Sequence, residues 1–338
     1  MYWAKSPSHV IDTAFWLEPK QGLDPKWSYY ALKNLDISTL ESGSAVPSLS
    51  RDDFYRKELK LPTISEQKAI ARILGALDDK IEVNQKMNQT LEEIAKAIFK
   101  SWFIDFDPVH AKAEGRPTGL SQEISDLFPD ELVDSEIGKI PKGWEAGSLS
   151  DIADVTMGQS PPGSTYNEEG EGLPFYQGSA DFGFRFPSLR KYCSHPKRLA
   201  ETDDALMSVR APVGDLNRAK GKCCIGRGLA SIRSNNSNQS WVFYQCKFLS
   251  QRLDTFNSEG TVFGSINGKD LKGLLIIIGP DSIVERFNAL AKPIDESIKI
   301  NTSEIEVLSE LRDALLPKLI SGELRVPEAE KFLEEAGI

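Results

Sequence analysis

The chain has 338 residues, of which 40% are apolar and 27% are charged. This composition excludes a wholly disordered, collagen-like or disulfide-stapled protein, and the length suits about two domains. No apolar run reaches the ~20 residues that span a bilayer, and the residues after Met1 lack a secretory signal pattern, so we expect a cytoplasmic protein without membrane contact.

Charge is distributed unevenly along the chain. The whole sequence has a formal charge of −10, but the segment 185–233 contains eleven basic and four acidic residues, a net charge of +7. Such an asymmetry can direct one face of a protein toward a polyanion while the rest of the surface repels it. The alternative is an ordinary surface segment whose charges happen to be basic.

An internal repeat divides the chain. With a shift of 217 residues the segment 77–84 matches 294–301, and with a shift of 214 residues Trp27–Tyr30 matches Trp241–Tyr244. Each copy consists of a globular segment followed by a long segment with helical periodicity.

Both helical segments carry mostly apolar residues at alternating spacings of four and three. This pattern is typical of a helix that buries one stripe of side chains as a seam. Two equivalent stripes favour an antiparallel pair, in which Asn84 and Asn301 pair with each other or with nearby backbone. The alternative is that each helix packs on its own globule. Pro293 and Pro317 are expected to break or kink the second helix. The predicted seam residues are Leu77, Ile81, Asn84, Leu91, Ile98, Ile294, Ile298, Asn301, Leu308 and Leu315.

These patterns predict an α+β fold, in which a mixed, mainly β domain accompanies two long helices that form an antiparallel coiled coil. Frequent glycine and proline between short alternating runs indicate the β-rich domain, and clustered turn residues indicate a connector before it. The predicted segments are an N-terminal segment at 1–62, the first long helix at 63–104, the connector at 105–139, the β-rich domain at 140–280, the second long helix at 281–325 and a tail at 326–338.

No catalytic or metal site emerges from the sequence, since Cys193 and His195 lack a second ligand pair at metal spacing and the segment 264–269 departs from a phosphate-binding loop. The central domain instead places hydroxyl, amide and guanidinium groups near glycines, and such groups hydrogen-bond bases and phosphates. The alternative is that these loops have no binding role and that their arginines pair internally. The candidate DNA contacts are Ser160, Thr165, Tyr166, Gln177, Arg210, Lys220, Lys222 and Arg227.

Short motifs spread over nearly the whole chain are specific when taken in order. They are LPTISEQ at 61–67, SWFIDFDP at 101–108, LFPD at 127–130, IPKGW at 140–144, GQSP at 158–161, VRAPVG at 209–214 and LRDALLPKLISG at 311–322. This combination resembles the specificity (S) subunits of type I restriction–modification enzymes.

The resemblance implies a non-catalytic subunit that holds two target-recognition domains on antiparallel helices, with each domain reading one half of a split site in double-stranded DNA. It implies docking of modification (M) subunits, which methylate adenine, and of restriction (R) subunits. No cofactor is expected on this chain, because S-adenosylmethionine, ATP and Mg would be bound by the partner subunits.

One departure from the family pattern concerns the first recognition domain. The segment 1–62 aligns with only the last part of the second copy, so we expect a remnant that lacks counterparts of 140–217. A truncated sequence and a homodimer in which a second chain completes the domain both remain open. The competing function is a DNA-inactive scaffold that competes for M subunits.

Overall fold

The computed structural model is an α+β protein and describes residues 3, 17–35, 41–42, 48–49, 51–253 and 264–335. The chain forms two compact units, of which the first is Met1–Asn88 with Ile300–Ile338 and the second is Gln89–Lys299. Much of the predicted remnant at 1–62 lies outside the described residues. None of the described helices is long and apolar enough to cross a membrane.

Two long helices contribute one segment each to both units. The described α-helices are α1 (Pro25–Lys33), α2 (Arg51–Tyr55), α3 (Ile64–Phe103), α4 (Asp107–Ala113), α5 (Gln122–Ser125), α6 (Leu149–Ile152), α7 (Gln239–Arg252), α8 (Gly268–Lys272), α9 (Asp281–Ser321) and α10 (Val326–Glu335). The described strands are β1 (Glu41–Ser42), β2 (Ser48–Leu49), β3 (Leu132–Ser135), β4 (Gly138–Pro141), β5 (Glu145–Ser148), β6 (Ala153–Met157), β7 (Tyr166–Asn167), β8 (Leu173–Tyr176), β9 (Tyr192–Cys193), β10 (Leu199–Ala200), β11 (Ala205–Ser208), β12 (Leu216–Arg218), β13 (Cys223–Ile225), β14 (Leu229–Ser234) and β15 (Leu275–Ile278).

The first long helix, α3, begins at a reciprocal capping arrangement. The Thr63 hydroxyl accepts a hydrogen bond from the Glu66 N–H at 3.3 Å, and the Glu66 carboxylate accepts one from the Thr63 N–H at 3.0 Å. These bonds satisfy backbone donors that the start of a helix leaves free. Hydrogen bonds from the Thr63 side chain and backbone also lower the pKa of Glu66.

The second long helix, α9, is continuous from Asp281 to Ser321, so the break predicted at Pro293 and Pro317 is wrong. A proline in a helix interior removes one backbone hydrogen bond and costs about 3 kcal/mol. Here the neighbouring Ala291 and Ile298 are buried on one face of the helix. Tertiary packing of such a face supplies most helical stability in proteins and outweighs the local cost.

In the first unit the helix segments 64–88 and 300–321 pack against each other in opposite directions. Leu77 and Ile81 share an apolar core with Leu308 and Leu315. As the residue number rises along α3, the number of its contacting residue on α9 falls, from Arg312 opposite Asp78 to Glu304 opposite Asn84 and Asn301 opposite Asn88. The predicted antiparallel pairing is therefore confirmed.

The predicted pairing of Asn84 with Asn301 does not form. The Asn84 amide donates to the Glu304 carboxylate at 2.8 Å, and the Asn301 amide donates to the Asn88 side-chain oxygen at 2.9 Å. The antiparallel register places Asn301 opposite Asn88, one helical turn beyond Asn84. Among the predicted seam residues, Leu91, Ile98, Ile294 and Asn301 are half-buried and the others are buried.

In the second unit two main sheets form the β-rich domain. One is antiparallel with the strand order β12-β11-β14-β6, and the other is mixed with the order β10-β13-β8-β9-β7, in which β13 and β8 run parallel. The pairs β3–β4 and β5–β15 are two-stranded and antiparallel. Within the segment 105–139, which was predicted as a connector, the chain forms α4, α5 and β3.

Aromatic side chains join the helix segments of the second unit to this domain. The Phe287 ring lies 5.3 Å from that of Phe99 and 5.5 Å from that of Phe103, and Phe103 lies 5.9 Å from Trp241 on α7. Each such pair contributes about 0.5–1.5 kcal/mol beyond area burial. The segments 89–103 and 281–299 therefore share one core with the β-rich domain.

Candidate nucleic-acid interface

Three loops of the second unit meet where strands β6, β8 and β13 end. The Gly158 N–H donates to the Leu229 carbonyl at 2.9 Å, and the Gly226 N–H donates to the Tyr176 carbonyl at 2.8 Å. A Cβ atom at Gly158 would lie 2.1 Å from the Gly226 carbonyl oxygen, and one at Gly228 would lie 2.5 Å from a neighbouring backbone oxygen. Glycine is therefore required at these positions for the loops to approach each other.

Ser160, Gln177 and the backbone of Arg227 form a polar group where these loops meet. The Ser160 hydroxyl donates to the Gln177 Oε1 at 3.0 Å and accepts from the Arg227 N–H at 3.2 Å. The Gln177 side chain is exposed but held in place by this contact. An amide fixed in this way is suited to hydrogen bonding with a base edge.

Arg210 extends from the end of β11 to the same region. Its segment is held by hydrogen bonds from the Ala211 N–H to the Gly264 carbonyl at 2.9 Å and from the Ile266 N–H to the Val209 carbonyl at 3.0 Å. Arg210 and Gln177 line one cleft of about 730 Å³, together with Ser179 and Lys191. The structure thus brings together two candidates that lie 33 positions apart in the sequence.

Three exposed cations on this domain have free charged groups. Within the described part of the chain, the side chains of Lys191, Arg210 and Arg227 form no ion pair and no hydrogen bond. The alternative that Arg210 and Arg227 pair internally therefore does not hold among the described residues. Unpaired guanidinium groups on an exposed face can bind phosphates and guanine edges.

Thr165 and Tyr166 have an internal role instead. The Tyr166 hydroxyl donates to the Pro161 carbonyl at 2.8 Å, and the Thr165 hydroxyl donates to the Pro162 carbonyl at 2.7 Å. The Tyr166 ring stacks on Phe175 with centroids 4.5 Å apart, and burial is the largest cause that raises its pKa. These two residues hold the loop that carries Ser160 and use their hydroxyl protons within the protein.

Lys220 and Lys222 lie away from the cleft. Arg218, two residues before Lys220, pairs with Ala205 at the start of β11, whereas Arg210 follows the end of that strand. The Lys222 ammonium lies 2.8 Å from the Glu201 carboxylate. The structure therefore does not group these two lysines with Gln177 and Arg210.

Sequence reasoning missed a buried set of charged residues, two of which it counted as part of the basic segment. Arg185 and Arg218 are buried and pair with acidic residues of the long helices, Glu92 on α3 and Asp295 on α9. We refer to these four residues as the buried charge cluster. No local sequence signal separates Arg185 from the exposed arginines, since its neighbours are the exposed Phe184 and the buried Phe186.

The described residues contain no group of three or more His, Cys, Asp and Glu side chains placed to hold a metal ion. Cys193 is buried and forms no disulfide, and His195 is exposed. Burial raises the pKa of the Cys223 and Cys246 thiols to about 12. The four cysteines are free and buried, which is typical of structural thiols.

Comparison with known proteins places this architecture in a family. A family model described as the type I restriction modification DNA specificity domain matches residues 1–93 and 141–309. The type I restriction enzyme MjaIX specificity subunit of Methanocaldococcus jannaschii is 32% identical over 330 residues, which cover 92% of this chain and 71% of that protein. The HindI specificity subunit of Haemophilus influenzae is 29% identical over 349 residues, covering 85% and 73% respectively. The crystal structure of a type I restriction–modification S subunit from M. genitalium shares the fold with a TM-score of 0.56, at 19% identity over 88% of this chain and 73% of that one.

Proposed function

The chain belongs to the family of type I restriction modification DNA specificity domains, and we propose that it is the subunit that reads one half of a split DNA target. The observation that carries this proposal is the cleft lined by Gln177, Arg210 and Lys191, with the unpaired Arg227 on the adjoining loop. A protein that reads duplex DNA needs both kinds of group on one face. The fixed amides can hydrogen-bond base edges, and the free cations can neutralise phosphates.

The geometry supports different roles for the candidate residues. Arg210 and Arg227 would contact phosphates or bases directly, and Gln177, held by Ser160, would contact a base edge. Thr165 and Tyr166 would act by holding the loop, because their hydroxyl groups already donate to backbone carbonyls. Lys222 is paired with Glu201 and would contribute to the field of the domain more than to a contact.

The helix pair offers candidate docking positions for M subunits. In the first unit Val83 is 53% exposed and Ile300 is 67% exposed, and these two residues are equivalent in the internal repeat. Beside them the seam is polar, with Asn84 and Asn88 buried. Exposed apolar side chains mark protein–protein contacts when they form a contiguous patch, and equivalent positions suit two copies of one partner.

In this proposal the chain supplies recognition, and chemistry resides in its partners. The M subunits would bind S-adenosylmethionine and methylate the target, and R subunits would bind ATP and Mg and cleave DNA. A cytoplasmic location, where the complex meets chromosomal DNA, is part of the same proposal. Pairing of two copies of this chain stays a prediction that light scattering at working concentration can test.

The test is DNA binding by the complex of this chain with its M subunits. We expect Arg210→Ala and Arg227→Ala each to weaken binding to a duplex that contains the target by about tenfold, because each removes a charged contact of roughly 1–3 kcal/mol. The matched control is Arg116→Ala, an exposed arginine that pairs with Glu114 outside the cleft. Unchanged binding in both cleft variants would contradict the site assignment.

A role in assembly alone, without DNA recognition, makes the opposite prediction. It requires that the M complex select the same sequences from a duplex library whether or not this chain is present. The free cations of the cleft do not favour that role. A library selection with and without the chain therefore separates the two functions.

A further inference from the structure

The buried charge cluster joins the β-rich domain to both long helices. The side chains of Arg185 and Arg218 are 1% and 5% exposed, and those of Glu92 and Asp295 are 9% and 7% exposed. Charged groups are almost never buried to this extent unless they are paired. The four residues come from α3, α9 and two separate segments of the β-rich domain, all within the second unit.

Arg185 contacts both helices at once. Its Nη1 lies 3.0 Å from the Asp295 Oδ1, and its Nη2 lies 2.7 Å from the Glu92 Oε2 and donates to the Tyr244 hydroxyl at 2.9 Å. The guanidinium also lies 4.4 Å from the centroid of the Phe243 ring. Burial acts to lower the pKa of Arg185, but Tyr244, Asp295 and Glu92 raise it above its usual value. The planar fork of arginine defines the angles between its partners, as a lysine would not.

Arg218 completes the cluster from the edge strand β12. Its Nη1 lies 2.5 Å from the Asp295 Oδ2, and its Nε donates to the Asp203 carbonyl at 3.1 Å. Lys299 on α9 lies 3.4 Å from the Asp203 carboxylate, and Lys247 pairs with Glu92. Each acidic group therefore contacts more than one cation. Each ion pair restricts the same contact between the long helices and the β-rich domain.

The cluster is connected to the cleft through one strand pair. Arg218 is paired in register with Ala205 at the start of β11, and Leu216 with Met207 near its end. Beyond that end the chain reaches Arg210, which lines the cleft. Strand β11, four residues long, thus connects the position beside Arg218, which pairs with Asp295 on α9, to Arg210, which lines the cleft.

We propose that the buried charge cluster is a positioning device that holds the cleft of Gln177 and Arg210 at one orientation on the long-helix segments 89–103 and 281–299 of the second unit. Buried ion pairs contribute little net stability compared with apolar residues of similar size, but their geometry can select one arrangement among several. Arg185, Arg218, Glu92 and Asp295 would act through Arg210 and not by touching DNA. This inference rests on the proposed function, because orientation matters only if the face reads DNA.

The test measures orientation directly in the full chain without DNA. Spin labels are placed on cysteines introduced as Ala97→Cys on α3 and Glu169→Cys in the β-rich domain, both at exposed positions of the second unit. The four native cysteines are buried, so labelling is selective for the new ones. For the otherwise unchanged chain we expect one narrow distance distribution by pulsed dipolar spectroscopy.

The informative variant removes one positive and one negative charge together, as Arg218→Met with Asp295→Asn. We expect a broader distribution or a second distance, with a thermal midpoint that shifts by only a few degrees. Arg218→Lys keeps every charge but loses the fork, and it should broaden the distribution as well. The matched control is Arg233→Met, which removes an arginine that pairs with Asp204 within the β-rich domain and should leave the distribution narrow.

An unchanged narrow distribution in Arg218→Lys would overturn the inference. The measurement involves no DNA, so its result is independent of the Arg210→Ala and Arg227→Ala binding test. If those two variants bind normally while the distribution broadens as described, the assignment of the DNA-binding cleft fails and the positioning device remains.

Discussion

The two units contain the same repeated element, an aspartate on a long helix beside a tyrosine on a shorter helix, but a different part of the chain neutralises each aspartate. In the first unit Arg312 of the other long helix lies 2.8 Å from Asp78. In the second unit Arg185 and Arg218 of the β-rich domain lie 3.0 and 2.5 Å from the equivalent Asp295. The same carboxylate position thus forms an ion pair between the two long helices in the first unit. In the second unit it forms ion pairs between a long helix and the β-rich domain.

The two arrangements differ at one repeat position on the facing long helix. Arg312 is equivalent to Ala95 in the other copy, and Ala95 is fully buried. The aromatic frame around the aspartates is shared, because Tyr30 and its equivalent Tyr244 are both fully buried. A repeated scaffold can therefore acquire a different partner by changing the source of one positive charge.

The largest effect in this comparison is expected at Asp295. We predict that Asp295→Asn lowers the free energy of unfolding by about 3–5 kcal/mol, because two buried arginines then face one carboxylate fewer. Urea denaturation monitored by tryptophan fluorescence measures this loss. Asp134→Asn, at a side chain that is 89% exposed, should change stability by less than about 0.5 kcal/mol. Equal effects at the two positions would contradict the account of the cluster.

A smaller loss is expected at Arg312. Its side chain is 16% exposed and that of Asp78 is 27% exposed, so solvent screens this pair more than the pair in the second unit. We predict that Arg312→Ala, which copies the residue of the other repeat, costs about 1–2 kcal/mol. The double variant with Asp78→Asn should recover part of that loss, which a double-mutant cycle measures. A loss larger than that of Asp295→Asn would reverse the ranking of the two units.

The helix pair could be predicted from sequence because its signal is local and periodic. The stripe through Leu77 and Ile81, repeated at Ile294 and Ile298, indicates a buried seam on each helix. The register could not be predicted in the same way. Equivalent residues of an antiparallel pair face each other only at the point of symmetry, so Asn301 lies opposite Asn88 rather than Asn84.

The candidate DNA-binding cleft could be predicted only in part from the sequence, because a count of charges carries no information on burial. Arg210 and Arg185 contribute equally to the net charge of the basic segment, yet Arg210 is exposed and Arg185 is buried. The partner of Arg185 lies 110 residues away on α9, and such a contact depends on the tertiary fold. The hydroxyls of Thr165 and Tyr166 illustrate the same limit, since their acceptors are backbone carbonyls of their own loop.

The smallest effect on stability, and the most informative one on assembly, is expected where the two repeats agree. Val83 and Ile300 are equivalent and more than half exposed, so Val83→Lys and Ile300→Lys should each change the free energy of unfolding by less than about 0.5 kcal/mol. If M subunits dock at both positions, each variant should weaken their binding by about tenfold or more, since a lysine would then be placed in an apolar contact. Titration calorimetry with the M subunit checks both affinities, with Leu61→Lys as the control because Leu61 is a 63% exposed apolar residue outside the helices. A loss at only one of the two positions would show that the repeat equivalence does not extend to the partners, because two copies of one partner must respond alike to equivalent changes.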